Sequence, residues 1–341
     1  MNDPNHTETM NSRGICLSAP VRAGRDLAEL LEFPLSEFSL YRVDFTVQCP
    51  AEGGLWVVDF FDEAGERNYA DNYAAIYPTT DGPERQTAFF MARAGAVRGT
   101  LGVRSQGNPI DVLDASVTPA TKAEALDWMD SFVEFFPDVA TSLKPDAARW
   151  EFLPRTAEML RRGESLRVVA LGDSISNDLM NGLGHLLVER EHPGAEMRII
   201  HANGPEKSCE NYQREEVLQR LVAPHSPDLL TVGGMSHEPE HARNVIRTVR
   251  SLCGNVEAMY IDVAVNGDQE RKKRLADLRE LKRMGAEDGF AVCDVTTAYH
   301  ECVQRSEYTL EWFSRDDEHA NDRGKQLLGR IFAGCFRFQN P

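Results

Sequence analysis

LRVVALGDSISNDLMNGLGHLLVER, residues 166–190, decides the fold. Leu166 to Leu171 is an apolar run of strand length. After the turn Gly172-Asp173-Ser174, residues Ile175, Leu179, Met180, Leu183 and Leu187 fall on one helical face, so 175–190 reads as a helix. The same alternation recurs downstream. AEMRIIHA (195–202), DLLTVGG (228–234), VEAMYIDVAV (256–265) and FAVCDV (290–295) are strand-like, and 211–223, 239–252 and 268–284 are helix-like. Regular β-α alternation predicts a parallel sheet covered on both faces, hence an α/β domain over 166–341 whose ligands bind beyond the carboxyl ends of the strands.

Upstream the pattern changes. LYRVDFTVQ (40–48), GLWVVDFFD (54–62), QTAFFMA (86–92), VRGTLGV (97–103) and IDVLDASV (110–117) alternate with Gly, Pro and Asp punctuation, and DEAG at 62–65 is a turn signal. This predicts an all-β, jelly-roll-like sandwich over 15–119. Residues 120–165 read as a helical connector whose last helix ends at Gly163, and 1–14 as a disordered tail.

The chain has 341 residues, 42% hydrophobic and 27% charged, with a formal charge of -17. No apolar run approaches the roughly 20 residues needed to cross a bilayer. The negative charge repels nucleic acid phosphates and anionic headgroups, so neither nucleic acid nor membrane is an expected partner. The seven cysteines form no Cys-x-x-Cys pair, and their odd number predicts reduced thiols. MNDPNHTETMNSRG lacks the basic start and apolar core of a leader, which predicts a cytoplasmic protein, or a secreted or periplasmic one if a leader has been removed.

Ser174 falls at a helix N-terminus, where the dipole and free N–H groups favour negative charge on a bound carbonyl oxygen. The plain alternative is an ordinary N-cap. Near the C-terminus, WFSRDDEHANDRG (312–324) sets Asp316 three residues before His319. A carboxylate there orients an imidazole that takes a proton from a serine. Asp317 and Glu318 are rival carboxylates, and the plain alternative is a solvated acidic loop with Asn321 capping the last helix.

GDSIS (172–176) with DDEHANDRG (316–324) resembles the first and last blocks of the SGNH/GDSL hydrolases. The resemblance covers roughly 166–335 and implies a flavodoxin-like, three-layer α/β/α domain that hydrolyses esters through an acyl-enzyme, with Ser174, Asp316 and His319 as catalytic residues and no metal or organic cofactor. Asn203-Gly204-Pro205 stands where the family's second block lies, so the resemblance gives the oxyanion hole as the amides of Ser174 and Gly204. The third-block Asn is missing from GGMSHE (233–238), so that either Ser236 or His237 stands in for it or the hole works with the two backbone donors. Asp173, Asn203, Gly234 and His237 complete the expected substrate-binding set. A β-sandwich ahead of such a domain resembles modular carbohydrate esterases, which implies a small acyl ester, in the first place an acetyl ester, on a glycan. The alternatives are a non-catalytic glycan-binding or scaffold protein and an acyltransferase that uses the same nucleophile.

His237-Glu238-Pro239-Glu240-His241 matches a zinc signature in letters, but Pro239 cannot lie inside the continuous helix that this signature needs, and reads instead as the first residue of a helix. Trp56, Tyr69, Tyr73 and Tyr77 read as sandwich packing rather than a sugar platform, and Cys209 as a structural thiol.

Overall fold

The computed structural model describes residues 14–136, 148–202, 208–234, 238–265 and 268–338, with the backbone alone described at 68–73 and 268–274. The chain divides into two compact units, Met1–Trp128 and Met129–Pro341.

Among the described residues the first unit holds nine strands: β1 (Ile15–Cys16), β2 (Val21–Ala23), β3 (Ala28–Pro34), β4 (Leu40–Gln48), β5 (Gly54–Phe61), β6 (Arg67–Ile76), β7 (Glu84–Met91), β8 (Arg98–Ser105) and β9 (Ile110–Ala120). One antiparallel sheet runs β1-β9-β4-β7 with β2 also on β9, and the other runs β3-β8-β5-β6. Period-two patterning builds the core between them. Tyr41, Val43, Phe45 and Val47 of β4 are buried with Trp56, Val58 and Phe60 of β5, while Arg42, Asp44 and Thr46 alternate outward. Trp56 is 2% exposed and packs on Phe45, which makes it core. The side chains of Tyr69 and Tyr73 lie outside the described residues. At the 62–65 turn, Asp62 accepts the Glu66 amide at 2.8 Å and Gly65 takes a φ of 78°.

After α1 (Lys122–Asp130), the second unit enters through α2 (Arg149–Phe152) and α3 (Pro154–Arg162), which ends on left-handed Gly163. The order is then β10 (Ser165–Gly172), α4 (Ser174–Asn181), α5 (Gly184–Glu191), β11 (Glu196–His201), α6 (Cys209–Tyr212), α7 (Glu215–Leu221), β12 (Leu229–Gly233), α8 (Pro239–Cys253), β13 (Glu257–Asp262), α9 (Asp268–Asp288), β14 (Ala291–Asp294), α10 (Val295–Arg305), a 3₁₀ turn Leu310–Phe313 and α11 (Asp322–Cys335). The sheet order is β11-β10-β12-β13-β14, with every pair parallel. This is the 2-1-3-4-5 order of a flavodoxin-like doubly wound fold, and its topological switch point lies at β10 and β12. Among the described residues no helix is long and apolar enough to cross a membrane.

Three local readings change. The helix expected over 175–190 is two helices, because Gly182 caps α4 and Leu183 adopts a left-handed φ of 55° before α5 starts. Likewise 211–223 resolves into α6, α7 and a 3₁₀ turn. α10 was not expected; its β-branched start, Val295-Thr296-Thr297, extends the strand-like FAVCDV run, and helix begins there because the Asp294 carboxylate caps the Thr297 amide at 2.9 Å.

The expectation of reduced thiols fails at one pair. Cys293 of β14 and Cys335 at the end of α11 form a disulfide across 42 positions. Sequence spacing cannot show such a pairing, because only the fold brings the last helix beside the last strand.

α11 is seated by small residues and by one arginine. A Cβ on Gly184 would stand 2.3 Å from the Gly329 carbonyl, and one on Gly329 would stand 2.4 Å from that of Gly182, so these helices touch backbone to backbone. Arg149, 3% exposed, donates Nε to the Cys335 carbonyl at 2.8 Å and Nη2 to that of Arg337, which satisfies acceptors at the helix end.

Candidate active site

The turn after β10 follows from side-chain capping. Asp173 sits at the N-cap of α4 with extended backbone, and its Oδ1 accepts the amides of Ile175 at 3.0 Å and Ser176 at 3.2 Å. Ser174 is therefore the first residue of the helix, and its own amide stays outside the cap. Gly172 serves space rather than a positive φ: a Cβ there would meet Ser176 Cβ at 2.3 Å and the Gly233 carbonyl at 2.6 Å. Tyr212, fully buried, directs its hydroxyl to the carbonyls of Gly172 at 2.8 Å and Ala202 at 3.1 Å, tying the ends of β10 and β11 together.

The second half of the site is a closed loop before α11. Ser314 and Ala320 form an antiparallel bridge, and the Arg315 amide donates to the His319 carbonyl at 2.9 Å. Asn321 holds the base of the loop: its Nδ2 donates to the carbonyls of Trp312 at 2.9 Å and Ser314 at 3.1 Å, and its Oδ1 caps the Gly324 amide at 3.1 Å. The capping role of Asn321 and the three-residue spacing of Asp316 and His319 are thus two properties of one loop.

Inside it, the Asp316 carboxylate meets His319 Nδ1 at 2.9 and 3.0 Å and accepts the amides of Glu318 at 2.9 Å and His319 at 2.8 Å. His319 Nε2 lies 2.8 Å from Ser174 Oγ. An Nδ1 facing a carboxylate carries the proton of the neutral ring, which leaves the Nε2 lone pair for the serine hydroxyl. Partial burial works to raise the Asp316 pKa, but the hydrogen bond from His319, the two amides and the nearby imidazole charge outweigh it and hold the carboxyl well below the usual range. Asp316, Asp317 and Glu318 are all exposed, and it is the Asp316 carboxylate that lies on the histidine ring.

Of the remaining expected residues, Gly234 lies against the turn with a φ of 119°, where a Cβ would fall 2.2 Å from Asp173 Oδ1. Asn203, Gly204, Ser236 and His237 lie outside the described residues. Pro239 is the first residue of α8. Cys209 is fully buried, and burial, with the Asp173 charge adding to it, pushes its thiol well above the ordinary value. Among the described residues, no group of three or more His, Cys, Asp or Glu is placed to hold a metal ion.

The sequence reading did not find Asp178, Arg315 or Lys325. Asp178, 2% exposed, takes Arg315 Nη1 at 2.9 and 2.8 Å, the Ala320 amide at 3.1 Å and Lys325 Nζ at 3.6 Å. The sequence signal was faint: an acidic residue one turn after Ser174, beside the apolar face and not on it.

No protein-family model matches the chain, and no curated protein matches it. Solved structures resemble it in chain path. An acetylxylan esterase from Geobacillus stearothermophilus is 14% identical, with a TM-score of 0.43 over 51% of this chain and 95% of that one. A two-domain esterase active on acetylated mannans is 13% identical, with a TM-score of 0.44 over 57% of this chain and 54% of that one. A family 2 carbohydrate esterase from Clostridium thermocellum, solved with cellohexaose, is 10% identical, with a TM-score of 0.33 over 92% of each chain.

Proposed function

We propose that the second unit is a serine ester hydrolase of the SGNH/GDSL type acting on small acyl esters, with Ser174 as nucleophile, His319 as general base and acid, and Asp316 as its orienting carboxylate. The carrying observation is the continuous hydrogen-bonded chain Asp316–His319–Ser174, with His319 Nε2 2.8 Å from the serine oxygen and Nδ1 on the carboxylate.

In the first half-reaction Ser174 Oγ bonds to the ester carbonyl carbon while its proton passes to His319 Nε2. The carbonyl electron pair moves onto oxygen, where the Ser174 amide at the start of α4 and, from the family resemblance, the Gly204 amide stabilise it. The tetrahedral species then collapses. The C–O bond to the leaving alcohol breaks, His319 returns the proton to that alcohol, and an acyl-Ser174 ester remains. In the second half, water gives its proton to His319 and attacks the acyl carbon, Ser174 recovers the proton as it leaves, and the carboxylic acid departs. Asp316 stays ionised throughout, fixing the ring and stabilising the imidazolium.

A glycan acetyl ester is the proposed substrate class. Its acyl group is small and its alcohol uncharged, which suits a chain of charge -17. Kinetics on p-nitrophenyl acetate and on acetylated oligosaccharides test the reading. Ser174→Ala and His319→Ala lower kcat by at least about a thousandfold, and Asp316→Asn by roughly a hundredfold or more. Equal rates for wild type and Ser174→Ala reject the nucleophile, and acyl transfer to an added alcohol in preference to water reassigns the second half-reaction.

A further inference from the structure

We propose that Asp178 is a positioning residue that clamps the His319 loop onto the helix carrying Ser174; the inference rests on the catalytic reading of Ser174 and His319. Asp178 stands one turn along α4 from Ser174. Its carboxylate holds Arg315 through both oxygens and the Ala320 amide through Oδ2. Those two residues bracket Asp316 and His319. The same Arg315 nitrogen also donates to the Ala320 carbonyl, and the Arg315 amide donates to that of His319. Both ends of the loop are thereby referred to one carboxylate on the nucleophile's own helix, and Lys325, at the start of α11, adds a third tie.

Burial makes this more than a surface ion pair. The side chains of Asp178 and Lys325 are 2% exposed and that of Arg315 is 7% exposed. Desolvating three charges is costly, and apolar residues of similar volume commonly give equal or better stability at such sites, so stability alone does not account for the arrangement. What apolar packing does not supply is direction. A catalytic group has to be held within about 0.5 Å of its working position, and two hydrogen bonds to a guanidinium with one to a backbone amide fix a loop in that way.

The test combines kinetics and amide exchange on the full chain. In Asp178→Asn, kcat on p-nitrophenyl acetate falls roughly a hundredfold with KM within about threefold, as expected for a misplaced rather than a missing group. Arg315→Lys keeps the buried charge but moves it away from the position at which Nη1 meets both Asp178 oxygens and the Ala320 carbonyl, and shows the same split at roughly tenfold. Placed in a His319→Ala background, either change alters the residual rate by less than about twofold, because it acts through the histidine. The amides of Glu318, His319, Ala320 and Asn321 exchange at least about tenfold faster in either variant, while those of Leu327 to Ile331 keep their protection. Should Asp178→Asn fail to fold, Arg315→Lys carries every arm. An equal loss of rate with and without His319, or unchanged exchange in the loop, overturns the clamp. If Ser174→Ala hydrolyses as wild type does, the esterase reading has failed on its own, and the exchange arm still decides the clamp.

Discussion

Gly234 lies against Asp173 so closely that a methyl group added to it would stand 2.2 Å from the carboxylate oxygen that caps α4. The end of β12 is thus packed on the residue that aims Ser174, and Gly234 reaches this place with a φ of 119°, in a region L side chains seldom enter. Gly234→Ala combines strain and clash. It should cost about 2 to 3 kcal/mol, seen as a fall in Tm of roughly 5 to 10 °C. The same change costs less in an Asp173→Ala background, where the clashing oxygens are gone. Equal costs in both backgrounds, read by thermal melts, would show that the two residues do not press on each other.

Asp316 sets a pH signature. Its ordinary pKa is 3.8 and the folded value is lower, so the unfolded chain binds the proton first as pH falls. The contribution of this carboxylate to stability is therefore complete above the ordinary value and drains away as pH drops through the folded one. Thermal melts should show a difference between wild type and Asp316→Asn that is flat between about pH 5 and 7 and shrinks below about pH 4. A difference that grows on acidification contradicts the assignment.

The disulfide predicts a thiol count. Denatured, unreduced protein should titrate with five thiols of the seven cysteines, and all seven after reduction. Closing a loop across 42 positions is worth about 4 kcal/mol in the chain-entropy view, so Cys293→Ala with Cys335→Ala lowers Tm by roughly 8 to 15 °C. Seven reactive thiols without reductant would remove the bond. In the native state Cys209 resists alkylation, because burial keeps it protonated.

How far the sequence carried the fold follows from the range of each signal. Strand–helix alternation is local, so the parallel sheet was readable from runs such as 166–171 and 228–234, and so was the Asp173-Ser174 turn, because a cap acts over three residues. The spacing of Asp316 and His319 was readable for the same reason. Their meeting with Ser174 was legible through the family resemblance and not from any local signal, since it depends on Gly182, Gly184 and Gly329 letting α11 lie against α4 and α5. The break at Leu183 and the start of α10 escaped because periodicity is blind to one left-handed residue and β-branched residues read as strand. Asp178, Arg315 and Lys325 escaped for another reason: in sequence they look like ordinary surface charges, and a buried charge announces itself only once its partners are in place.

In the proposed mechanism His319 activates Ser174. Labelling with a p-nitrophenyl phosphonate, followed by peptide mass analysis and p-nitrophenolate release, tests it most directly. One phosphonyl group per chain is expected, on Ser174, formed at least about a thousandfold more slowly in His319→Ala. Labelling of another residue, or the same rate of Ser174 modification with and without His319, would contradict it.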